Sequence, residues 1–112
     1  RAFRFAMDKP VAPYLIAIFA QRHGSSADGS RVRHYYVMES VGIATGILIT
    51  GLHHAGLVTL THTPNPMGFL NRVLGRPVVE RPVMLLVVGY PAADARVPRI
   101  QRKPLPSFVT YR

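Results

Sequence analysis

The sequence predicts an α+β layer fold, on three observations. Two apolar runs have strand length, a stretch with helical periodicity lies between them, and glycine or proline punctuates the junctions. At 112 residues the chain is near the commonest domain size and can bury a core, so one domain over 1–112 is expected. An irregular segment over 1–13 should open it, and a tail over 107–112 should close it.

The elements follow in order. Pro10 and Pro13 keep Lys9 and Ala12 out of helical conformation. Tyr14 to Ala20 is an apolar, partly β-branched run, read as a strand covered on both faces. Gly24 to Ser30 is rich in small and polar residues and reads as a loop. From Val32 to His54 the pattern turns helical, with Tyr35, Met38, Gly42, Thr45, Ile49 and Leu52 at three- and four-residue steps, and Gly56 sits where a helix stops. Glycine inside a helix costs roughly 1 kcal/mol against alanine. Gly42 and Gly46 therefore invite close approach of another backbone, from the same chain or from a matching helix, unless good packing elsewhere tolerates them.

Val58 to His62 is a short strand. Asn65-Pro66 pairs a good N-cap with a good first-turn residue, and Met67, Leu70 and Leu74 give the spacing of a helix that Gly75 closes. Val83 to Val88 is a second buried strand, ended by Gly89-Tyr90-Pro91. Pro91, Pro98, Pro104 and Pro106 imply an extended segment, after which Ser107 to Tyr111 could pair as an edge strand. Two strands that are apolar on both faces need more cover than one long and one short helix supply, so helices outside this chain are expected to complete the layers.

The formal net charge is +9, from 14 basic and 5 acidic residues. Such a balance invites an anionic partner. The arginines are scattered, without a basic helix, a zinc-finger spacing or an RNA-recognition signature, which argues against a nucleic-acid module. With no cysteine there is no disulfide framework, no thiolate nucleophile and no thiolate metal ligand, and a reducing cytoplasm is the simplest home. The most apolar run, Val41 to Leu52, is too short to span a bilayer and reads as a buried helix. His53 and His54 are adjacent, about 100° apart around a helix, so they cannot share one ion, and no metal site is expected. Ser40 lacks a nucleophile-elbow context. Glu39 reads as an ion-pair partner for one of the arginines.

The chemistry-bearing residues lie between Thr59 and Lys103. A strand ends in Thr61-His62-Thr63-Pro64, then come Gly89-Tyr90-Pro91 and Arg102-Lys103-Pro104. Hydroxyls beside a proline can face the edge of a planar heteroaromatic ring, and an arginine can fork onto a phosphate. Neither a G-x-G-x-x-G fingerprint nor a Walker loop competes.

Over residues 8 to 106 these motifs resemble the nitroreductase family of FMN enzymes, in its iodotyrosine deiodinase-like branch, over the C-terminal half of that family's length. The resemblance implies a nitroreductase-like mixed sheet with a long central helix, incomplete in its N-terminal half. It implies FMN as cofactor, NAD(P)H as electron donor, and an aromatic acceptor such as a nitroaromatic or a halogenated phenol. It implies a homodimer with FMN at the interface. It places Thr61, His62 and Thr63 against the flavin ring, where a threonine hydroxyl can bond a ring nitrogen, and Arg102 on the FMN phosphate. The remaining phosphate ligands and the substrate lid lie upstream of the matching region in that family. Two other readings stay open: a truncated paralogue without catalysis, and a basic nucleic-acid-binding module.

Overall fold

The computed structural model describes residues 14–112, so the expectation for 1–13 lies outside the described residues. In chain order the elements are β1 (Tyr14–Gln21), β2 (His23–Ser25), β3 (Arg31–Arg33), α1 (Val37–His54), β4 (Val58–His62), α2 (Phe69–Val73) and β5 (Glu80–Gly89), with a 3-10 turn at Leu105–Ser107. The α+β arrangement is observed. A three-stranded sheet has the order β1-β5-β4, and β2 with β3 forms a separate hairpin.

β5 takes the middle of the sheet, where both edges of its backbone are paired. β5 is antiparallel to β1, from Tyr14↔Val88 to Gln21↔Glu80 with an irregularity between Ile18 and Phe19, and antiparallel to β4, from Val58↔Gly89 to His62↔Leu85. Leu86 and Val88 are its most buried side chains and, two residues apart, lie on one face. Ala20 and Leu70 join them as the buried apolar residues among those described. The radius of gyration is 17.9 Å, against about 13 Å for a compact domain of similar length. The segment after Gly89, extended apart from its single 3-10 turn, contributes to that spread.

α1 corrects the sequence reading in three ways. It begins at Val37, because Val32 belongs to β3 and Tyr36, at φ 53°, turns the chain through the left-handed region before the first helical turn. Its inner face is Val37, Val41, Thr45, Ile49 and Leu52, at steps of four and three, while Met38 and Gly42 are exposed. The run Val41 to Leu52 is therefore not a buried helix: Ile43 and Ile47 are 67% and 69% exposed. A Cβ built on Gly42 or Gly46 meets nothing within 4 Å, so no backbone among the described residues uses the space they leave. Gly56 does end the helix. At φ 81° it donates to the His53 carbonyl while Leu57 donates to that of Leu52, the paired bonds of a Schellman stop.

Four further expectations change. Gly24 to Ser30 is a hairpin rather than a plain loop, with Ser25↔Arg31 and His23↔Arg33 paired. α2 starts after Gly68 instead of Asn65, and Asn65 forms no cap. Among the described residues Ser107 to Tyr111 pairs with no strand; a single 3-10 turn stands at its start, because Pro104 and Pro106 remove backbone donors there. Glu39 forms no ion pair among the described residues, where the salt bridge present joins Arg76 to Glu80.

Candidate functional site

β4 carries the predicted ring-contacting segment to the rim of the sheet. Thr61 pairs with Leu86 and His62 with Leu85, so the sheet's central strand holds both in register. Paired residues share a face and successive residues alternate, so Thr61 lies on the face of Leu86 and His62 on the opposite one. Thr63 follows where the ladder ends and Pro64 stops further pairing. All three side chains are exposed, and among the described residues none of them has a protein hydrogen-bond partner.

Thr63, Pro64 and Asn65 form one wall of an open groove of about 660 Å³. Met67, Gly68 and Asn71 line it from the α2 side, and Glu80, Arg81 and Pro82 from the start of β5. Asn71 fixes that geometry. Its amide donates to the carbonyls of Pro77 at 3.0 Å and Glu80 at 2.7 Å, tying the end of α2 to the mouth of β5. Arg76 reinforces the same corner, its Nε donating to Glu80 Oε2 at 2.7 Å and its Nη2 to Oε1. The Arg76 bond holds the Glu80 carboxyl below its ordinary range, against a smaller opposing effect of burial.

Arg102 stands on a second groove, of about 550 Å³, with Ile100, Gln101, Lys103 and Phe108. It is exposed and, among the described residues, has no carboxylate partner. Of the four predicted residues, Thr63 lines the first groove, Thr61 and His62 stand on opposite faces of the strand that leads to it, and Arg102 lines the second groove. Asn71, Glu80 and Arg81 are wall residues that the sequence reading passed over. The signal available for Asn71 was its place one turn before Gly75, where a side-chain amide can reach the carbonyls that follow a helix.

The donor set fits a flavin mononucleotide in part. Unengaged hydroxyls at a strand end suit the polar edge of the ring, and an unpaired guanidinium suits a phosphate. Among the described residues no three His, Asp or Glu side chains are grouped to hold a metal ion, and no helix is long and apolar enough to cross a membrane.

No family model matches the chain. It is 55% identical over 93 residues to the iodotyrosine deiodinase of Haliscomenobacter hydrossis, which covers 83% of this chain and 42% of that protein. It is 55% identical over 95 residues to human iodotyrosine deiodinase 1, covering 84% of this chain and 33% of that one. The chain thus spans less than half the length of these relatives. Its structure is similar to that of an oxidised iodotyrosine deiodinase bound to FMN and 3-iodo-L-tyrosine, with a TM-score of 0.64, 27% identity, and coverage of 89% of this chain and 48% of the other.

Proposed function

The chain is a partial-length relative of the iodotyrosine deiodinases in the nitroreductase family, and on that premise we propose that it supplies part of the cofactor site of an FMN-dependent oxidoreductase. The observation that carries the reading is the exposed Thr61–Thr63 segment, whose side chains have no protein partner among the described residues, in a chain structurally similar to an FMN-binding deiodinase.

When bound, FMN supplies the redox chemistry, taking electrons from NADH or NADPH and delivering them to an aromatic acceptor, a halogenated phenol or a nitroaromatic. The residues of this chain bind and orient it. The hydroxyls of Thr61 and Thr63 offer hydrogen bonds to the ring edge, and His62 shapes the same turn from the opposite face of the sheet. Arg102 offers a planar fork to the phosphate. A second copy of the chain brings the pieces into one site: the open face of α1 at Gly42, Ile43, Gly46 and Ile47 supports a homodimer, with flavin at the interface. The proposal takes residues 1–112 as one partial domain and a reducing cytoplasm as its home, the latter supported by the absence of cysteine.

Flavin absorbance after gel filtration tests the reading. In a protein containing the whole family length, Arg102→Ala should weaken FMN retention by about tenfold or more, the worth of a charge-assisted hydrogen bond pair. Flavin occupancy equal to that of the parent would remove Arg102 from the site.

A further inference from the structure

A cluster of positive charge outside the flavin segment sits on the β2–β3 hairpin. The register His23↔Arg33 and Ser25↔Arg31 puts these four residues on one face. Arg31 Nη2 lies 3.0 Å from His23 Nδ1. A guanidinium has no acceptor and stays charged, so it donates and the imidazole nitrogen accepts, which holds His23 neutral. Arg33 stands 5.8 Å over the Tyr35 ring, an arrangement that steadies a guanidinium without a carboxylate.

The acid of this hairpin is engaged in its turn. Asp28 accepts at Oδ1 from both Ser30 N at 2.9 Å and Ser30 Oγ at 2.6 Å, so that oxygen serves the turn itself. The groups that act on His23 are burial first, then Arg31, Arg33, His34 and Arg22, and all of them push its pKa below the ordinary histidine value. Among the described residues no carboxylate acts on it. Like charges packed together without a counterion are the arrangement that an incoming anion relieves.

We propose that this face of the hairpin binds a phosphate group of a small soluble anion, held by Arg31 and Arg33 with Ser25 and His23 beside them. Each strand has three residues, about 7 Å between its end Cα atoms, which suits one or two phosphates and is too short to track a nucleic-acid backbone. Arg31 turns its donor from His23 to the anion, and the freed imidazole takes up a proton, so binding and protonation are coupled. None of these residues belongs to the proposed flavin site, and either reading can fail without the other.

Inorganic pyrophosphate is the probe, followed by NMR of the histidine rings and backbone amides of the whole chain. The expected result is that His23 titrates at higher pH in its presence, that Ser25 and Val32 amides move, and that His53 and His54 do not. Arg31→Gln with Arg33→Gln should weaken binding about tenfold, while Arg96→Gln with Arg99→Gln leaves it unchanged. Uniform movement of all histidines, or equal loss in both variants, would reduce the effect to net charge and overturn the site. The amide shifts of the parent chain decide the matter even where the double variant fails to fold. A DNA duplex bound more tightly than pyrophosphate, or retention on anionic phospholipid vesicles that pyrophosphate does not displace, would assign the face to a different partner and overturn the proposal.

Discussion

β5 and α1 are almost equally apolar, yet the chain treats them in opposite ways. On β5 Leu86 is 0% and Val88 2% exposed, with a strand hydrogen-bonded on each side. On α1, Ile43 and Ile47 stand mostly in solvent and the glycines beside them face open space. A central strand has both backbone edges paired and its side chains flanked by those of two neighbouring strands, whereas a helix satisfies its backbone internally and relies on other elements to cover its sides. The contrast teaches that apolarity marks a segment for burial without saying that this chain alone performs it.

Four substitutions break or sharpen that contrast, in falling order of effect. Leu86→Ala should destabilise the chain by about 2–5 kcal/mol, because a fully enclosed leucine leaves a cavity; a loss within ordinary surface values in urea melts would mean that β5 is not the core. Gly46→Ala should raise stability by about 0.5–1 kcal/mol in the isolated chain, since alanine favours helix and nothing meets its Cβ. Under conditions where two copies pair through α1, the same change should weaken the pair, and sedimentation would register the opposite sign. Ile47→Gln should change monomer stability by less than about 0.5 kcal/mol, as at other exposed positions. A large loss in thermal melts would show that the outer face of α1 is already covered.

The smallest effect concerns pH. Glu80 has a folded-state pKa below its ordinary value of 4.5, chiefly through the Arg76 hydrogen bond. Its stabilisation is therefore fully present above that value and is lost as pH falls through the lowered folded-state pKa. Glu80→Gln should flatten this acid limb of the stability curve, and an unchanged limb would locate the acid sensitivity elsewhere. His23 works in the same direction at higher pH. Its depressed pKa costs stability as pH drops from the ordinary histidine value of 6.5 toward the folded one, because the unfolded chain takes up the proton first.

Much of the fold was legible because it rests on local chemistry. The strands at Tyr14 and Val83 follow from runs of β-branched and aromatic residues, and the stops at Gly56 and Gly75 from the left-handed conformation each adopts. The hairpin was missed because Gly24-Ser25 and Arg31 to Arg33 are too short and polar to show alternation. The helix starts later than the apolar spacing predicts, because Tyr35 fits that spacing while its neighbour Tyr36 leaves the right-handed region, which no spacing reveals.

For the site, the segment Thr61 to Thr63 could be placed at a strand end from sequence, since Pro64 forbids the strand to continue. Its position relative to Arg102 could not, because nearly 40 residues of loop, helix and strand separate them and where each stands depends on long-range packing. By itself, then, the amino-acid order determined which segments are strand or helix, where they stop, and which residues have the chemistry for a ring edge or a phosphate. Tertiary structure alone decided that β5 is central, that Thr61 shares a face with Leu86, that Asn71 joins α2 to β5, and that half of α1 is uncovered. The division is physical: conformational preference and capping act over a few residues, while burial and register are settled only by partners distant in the chain.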